Sequence, residues 1–169
     1  GAPDDFASLG YVGPLFAAAL DDATSTGRGG KGTLFFWAAG NGRDIFDQGN
    51  KDAAANNIHV IPVGALNNRG ALSYYSETGS HLMIVAPSSG GTSGIFTTDL
   101  EGTDGYNVGS TSSETANDDY TNDFGGTSSA APLASGVGAL ILQANPNLGW
   151  RDVKEILLRS STKIASTSS

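Results

Sequence analysis

The stretch Thr33-Leu34-Phe35-Phe36-Trp37-Ala38-Ala39 is a nearly unbroken apolar run of strand length, the pattern of a strand covered on both faces. It stops abruptly at Gly40-Asn41-Gly42. Two more apolar runs, Ile58 to Ala65 and His81 to Ala86, predict a second and a third buried strand. Small residues from Lys51 to Asn57 predict a short helix between the first two. Strand, helix and strand in that order predict an α/β fold built on a parallel sheet.

Helical patterns flank this set. Pro14 follows Gly13 and opens Leu15 to Leu20 as a short helix, ended by the glycine-rich run Gly27 to Gly32. Ser128 to Gln143 is small and apolar almost all round, through Ala130, Ala131, Leu133, Ala134, Val137, Ala139, Leu140 and Leu142. That pattern predicts a helix buried inside the domain and ended by Asn145-Pro146-Asn147. Val153, Ile156 and Leu157 give a last helix, about residues 149–160, one apolar face. From Pro87 to Gly126 Gly, Ser, Thr and Asp dominate, which predicts surface loops with Gly94 to Thr98 in a hairpin. The end, Ser166 to Ser169, is expected to fray, and the chain contains no internal repeat.

Composition narrows the chemistry. The 169 residues, 38% hydrophobic, suit one globular domain. Nine Lys and Arg against 17 Asp and Glu give a net charge of −8, which opposes nucleic acid and anionic membranes and favours cationic ligands. Without Cys there is no disulfide, thiolate zinc site or cysteine nucleophile. No apolar run reaches the roughly 18 to 20 residues that span a bilayer. The opening Gly1-Ala2-Pro3-Asp4-Asp5 has no Met and no signal-peptide pattern, so a processed chain or a piece of a longer one is expected.

Two segments point to catalysis. In Gly126-Thr127-Ser128-Ser129-Ala130-Ala131-Pro132 a serine sits where the buried helix begins, beside free backbone N–H groups and the positive end of the helix dipole. Such a place stabilises an oxyanion forming near the hydroxyl. Taken alone, Thr127 or Ser128 also fits a plain N-cap. Asn41 ends a parallel strand, at the sheet edge where α/β folds collect ligands, and its amide can donate to developing negative charge. Taken alone, it also fits a turn Asn before Gly. Gly27 to Thr33 superficially suggests a phosphate loop, but it lacks Gly-Lys-Ser/Thr and precedes a strand.

Together these motifs resemble the oxyanion and nucleophile segments of subtilisin-like serine peptidases, and within them the kexin and furin branch. The resemblance runs in order through Gly29 to Gly32, Trp37 to Gly42, Tyr74-Tyr75-Ser76-Glu77, Thr97 to Leu100, Gly126 to Pro132 and Trp150-Arg151-Asp152. It implies a three-layer α/β subtilisin-like fold with a mainly parallel sheet, of which residues 1–169 would be the C-terminal portion. It also implies Ser128 as nucleophile, Asn41 as oxyanion donor, and Ala38, Ala39 and Gly40 as a wall of the pocket for the residue before the cut. The family's Asp and His motifs are not in this sequence, and His59 and His81 are expected to be structural.

The branch further implies a calcium ion held by Asp4, Asp47 and Glu77, and an arginine pocket faced by Asp4 and Asp52. Pro3, Val12 and Ala54 depart from it, at positions where an acid, a second acid and an aromatic residue are usual. The acids from Glu114 to Asp123 are a candidate for another calcium, or a solvated loop. The resemblance thus implies a secreted or periplasmic, bacterial, calcium-dependent endopeptidase cleaving after Arg or Lys through an acyl-enzyme. Its partners are a polypeptide substrate, the portion of the domain supplying Asp and His, and a pro-segment or chaperone. The fragment alone is expected to be inactive. A calcium-stabilised module that binds basic peptides without cutting them is the rival reading.

Overall fold

A computed structural model describes residues 9–108 and 117–164. Asp4, Pro3, Glu114 and the Ser166 to Ser169 end lie outside the described residues. β1 (Phe35–Ala38), β2 (Val60–Leu66) and β3 (Ile84–Pro87) form a three-stranded parallel sheet in that order. The register pairs Phe35 with Val60 and Val63 with Ile84. Val60, Ile61, Val63 and Ala65 of the central strand are buried, as the unbroken apolar run requires.

Helices cover both faces. α2 (Thr127–Ala144) packs across all three strands, with Ala130, Ala131 and Ala134 in one cluster with Ile61, Val63 and Ile84. Small residues let it come close: a methyl group at Gly138 would sit 2.6 Å from Cζ of Phe36. α3 (Trp150–Ser160) adds Val153 and Leu157 to the same cluster, and Lys154 Nζ donates to the Ile58 and Val60 carbonyls at the start of β2. Trp37, next to Phe36 and so on the other face, meets Phe16 of α1 (Pro14–Gly30) edge-on at 5.7 Å. The fold is therefore a three-layer, subtilisin-like α/β arrangement.

Several elements differ from the sequence expectation. α1 runs well past Leu20, because Asp21, Asp22 and Ser25 fall on its solvent side while Leu20 and Thr24 stay buried. It breaks where Gly27 is extended and Arg28 and Gly29 are left-handed. Lys51 ends a short 3-10 helix (Gly49–Lys51), and residues 52–57 form turns instead of the expected helix. The Asp52 carboxylate accepts the N–H groups of Ala54 and Ala55, at 2.7 and 3.2 Å, and closes a single turn instead. β4 (Ile95–Thr98) pairs antiparallel with β5 (Tyr120–Phe124), a ribbon with a long connection rather than a tight hairpin. α2 is buried on one face only: Leu133, Val137 and Leu140 are 40, 48 and 64% exposed and lie on one stripe at helical spacing.

Candidate active site

Parallel strands all end on the same side, so the segments after them collect at one edge of the sheet. Asn41 comes after β1 at this edge, Ser88 and Ser89 come after β3, and α2 begins there. Gly126 caps α2 with φ +73° and ψ 175°, a conformation open essentially to glycine alone. No side chain caps the helix, so neither Thr127 nor Ser128 is an N-cap. Ser128 is instead the second helical residue, with its side chain exposed in the first turn, where backbone N–H groups lack helical partners. Pro132 lies inside this helix and has no N–H to offer the Ser128 carbonyl four residues back.

Asn41 is tied to this turn across 86 residues of sequence. Its Oδ1 accepts the Thr127 N–H at 2.8 Å and the Thr127 hydroxyl at 3.1 Å. Both bonds fix the amide's orientation, with oxygen toward Thr127 and the NH₂ as the donor end. Thr127 Oγ1 in turn accepts the Gly40 N–H at 3.3 Å, and Thr127 is fully buried. The serine, the amide and the end of β1 are thereby fixed against one another.

They line one cleft of about 960 Å³, with Ala38 and Gly40 on its wall. Ala39 is fully buried and does not line it. Asp47, Asp52 and Glu77 line the cleft together with Lys51, three carboxylates against one ammonium among the described lining residues. Glu77 and Asp47 are 3 and 8% exposed. Glu77 Oε1 accepts the Gly42 N–H at 3.0 Å, and its carboxylate lies over Gly40, where any side chain would overlap it. Asp47 Oδ1 accepts the N–H of Gln48 at 2.7 Å. Asp52 uses Oδ1 in its own turn.

Asp47 and Glu77 are both buried and both line this cleft, and a buried carboxylate must be paired or hydrogen-bonded to be tolerated. Their hard oxygens are of the type that calcium takes, and Asp47 and Glu77 could supply two of the several it needs. Among the described residues no group of three His, Cys, Asp or Glu side chains converges on a metal site. This includes Asp118, Asp119 and Asp123; Asp119 Oδ1 instead accepts the Gly102 N–H.

Neither histidine is bonded to Ser128. His59 precedes β2 and lies at the opposite edge of the sheet, where it bridges Asp21 at 2.7 Å and Thr24 at 3.0 Å. His81 packs its ring against Gly49 and Gly79, with neither ring nitrogen hydrogen-bonded. Burial lowers its pKa, partly offset by the charge of Asp52.

A hydroxyl in the first turn of a helix, with an oriented amide beside it on the carboxyl edge of a parallel sheet, is an arrangement able to stabilise negative charge that develops next to the hydroxyl. Comparison with known proteins gives the family: residues 7–169 match the subtilase family, peptidase S8, and the chain belongs to it. It is 46% identical over 150 residues to a calcium-dependent protease of Nostoc sp., covering 86% of this chain and 22% of that protein. A dibasic-processing endoprotease of Yarrowia lipolytica is 39% identical over 166 residues, 98% of this chain and 16% of that protein. Proprotein convertase subtilisin/kexin type 4 of Homo sapiens is 38% identical over 163 residues, 95% of this chain and 20% of that protein. Among solved structures, the Aeromonas sobria serine protease in complex with its chaperone superposes with a TM-score of 0.83, at 29% identity, over 96% of this chain and 32% of that one. The chain therefore spans about a fifth of the length of these relatives.

Proposed function

We propose that this chain is the C-terminal portion of the catalytic domain of a calcium-dependent serine endopeptidase that cleaves after basic residues. The observation that carries the reading is the pair of Thr127–Asn41 hydrogen bonds, which places a directed amide beside the exposed Ser128. Ser128 Oγ attacks the scissile carbonyl carbon and loses its proton to a histidine supplied by the rest of the domain. The carbonyl oxygen becomes an oxyanion facing the Ser128 backbone N–H and the Asn41 amide, since the Thr127 and Ser129 N–H groups are bonded to Asn41 Oδ1 and the Gly126 carbonyl. Collapse expels the amine, which takes that proton, and leaves an acyl-enzyme that water then hydrolyses.

The net negative cleft favours a cationic side chain. With Oδ1 of Asp52 used by its turn, an arginine would meet Oδ2, with Asp4 as the second acid. Calcium held by Asp47, Glu77 and Asp4 would neutralise the buried acids and fix the loop beneath the cleft. The names of the Nostoc and Yarrowia relatives agree with both assignments.

The portion carrying Asp and His would cover the stripe of Leu133, Val137 and Leu140, where burying the half that is still exposed contributes about 1 kcal/mol per side chain. Without it Ser128 lacks a base and the chain is inert. The enzyme acts outside the cytoplasm, and no helix among the described residues is long and apolar enough to cross a membrane. A chaperone or pro-segment is a further partner, as the Aeromonas protease complex suggests.

The test is labelling of the full-length protein with a fluorophosphonate and an arginyl chloromethyl ketone, with and without chelator. Calcium-dependent modification of Ser128 by the first reagent is expected, and Asp52→Asn should slow the second more than the first. A folded full-length protein that resists both reagents would favour the peptide-binding module.

A further inference from the structure

Behind the nucleophile turn lies a set of buried hydroxyls that take no part in the acyl transfer itself. Ser88 Oγ donates to the Gly126 carbonyl at 2.6 Å and lies 2.6 Å from Ser129 Oγ, which donates to the same carbonyl at 3.1 Å. The Gly126 N–H donates to Ser89 Oγ at 3.3 Å. One phenol joins the two arms: Tyr75 Oη is 3.0 Å from Ser88 Oγ, from Ser89 Oγ and from the Ser89 carbonyl. Ser73 Oγ donates to that same carbonyl at 2.5 Å.

These groups are expensive to keep. Ser73, Ser88 and Ser129 are buried, and a buried hydroxyl stabilises nothing unless its bonds are made. If this region only filled the core, alanine and phenylalanine would serve as well. The bonds instead converge on both polar groups of a single residue, Gly126. That residue holds a conformation essentially limited to glycine and sets the direction in which the chain enters α2. Two residues later stands Ser128. The anchor is rigid: Ser88 and Ser89 directly succeed β3, and the Ser88 N–H donates to the Leu66 carbonyl at the end of β2.

We propose that Tyr75, Ser88 and Ser89 are positioning residues for the Ser128 nucleophile, fixing the Gly126 backbone so that the hydroxyl and the Ser128 backbone N–H hold attack geometry. The proposal rests on the reading of Ser128 as the nucleophile. Tyr75 acts through the two serines, and none of the three touches substrate. A misplacement of well under 1 Å at a reacting atom is enough to slow attack severalfold or more. Because binding of the substrate side chain takes place elsewhere in the cleft, the loss should fall on kcat and not on KM.

The test uses the full-length protein with Tyr75→Phe, Ser88→Ala and the double variant, measuring fluorophosphonate labelling of Ser128, kcat, KM and Tm. Each single change should slow labelling and kcat about tenfold at constant KM, as expected for one hydrogen bond worth of positioning. The double variant should be little worse than the poorer single, because both act through one chain of bonds. Unchanged labelling and kcat in a folded Tyr75→Phe protein would overturn the proposal, as would additive losses or a change in KM alone. If Tyr75→Phe fails to fold, Ser88→Ala and Ser89→Ala decide the matter on the same readouts. Absence of labelling in the unsubstituted protein would instead remove the nucleophile assignment, and the positioning role with it.

Discussion

Thr127 allows the link between fold and chemistry to be cut at one atom. Valine has nearly its shape and keeps the backbone N–H that bonds Asn41 at 2.8 Å, but it lacks the hydroxyl. Two interactions go: the donation to Asn41 Oδ1 at 3.1 Å and the acceptance of the Gly40 N–H at 3.3 Å. The first contributes about 0.5–1.5 kcal/mol, and the second leaves an amide without its partner at a cost of about 1–3 kcal/mol. Together they make Thr127→Val destabilising by about 1.5–4.5 kcal/mol.

The kinetic loss is smaller than for deleting the amide. Removing an oxyanion donor outright costs about 10²–10³ in kcat, the expectation for Asn41→Ala. Thr127→Val removes one restraint on Asn41 and keeps the Thr127 N–H bond, so kcat on an arginyl peptide substrate should fall about tenfold, with KM little changed. Thr127→Ser, which restores the hydroxyl, should recover most of it. Full activity in Thr127→Val, or no recovery in Thr127→Ser, would refute the role given to this hydroxyl.

Packing and protonation give two other outcomes. Gly138→Ala places a methyl group 2.6 Å from Phe36 Cζ, which should cost about 1–3 kcal/mol of stability; Phe36→Leu in the same protein should relieve part of it, read as Tm. His81 has its pKa lowered by burial, so the folded chain resists a proton that the unfolded chain accepts. Its contribution is complete above the ordinary value of 6.5 and is lost as pH falls below it, toward the folded-state value. His81→Leu should therefore flatten the decline in unfolding free energy between about pH 7 and 5, and an unaltered slope would count against it.

Legibility in the sequence tracked the range of the interactions involved. The three strands, α2 and α3 are set by local apolar period and could be read directly, and short motifs mark Ser128 and Asn41 as candidates. Other features depend on contacts that a linear pattern does not carry. The polar residues Asp21, Asp22 and Ser25 hid the continuation of α1, which only burial of Leu20 and Thr24 explains. Asp52 caps a single turn through the Ala54 and Ala55 N–H groups, and the chain does not continue it into a helix. The apolar pattern of α2 predicts cover on all sides, but the described residues supply it on one face only.

The amino-acid order by itself determined which segments are strand or helix, because side-chain periodicity and Gly or Pro punctuation act within a few residues. It also marked Ser128 and Asn41 as candidates, through the residues next to each. Only the tertiary structure decided what those candidates can do. Thr127 turns the Asn41 amide from 86 residues away, Ser88 and Ser89 reach Gly126 from another part of the chain, and Tyr75 bonds to both serines from a third. Hydrogen-bond direction depends on distance and angle in space, and serines in a polar stretch look alike until the sheet edge gathers them.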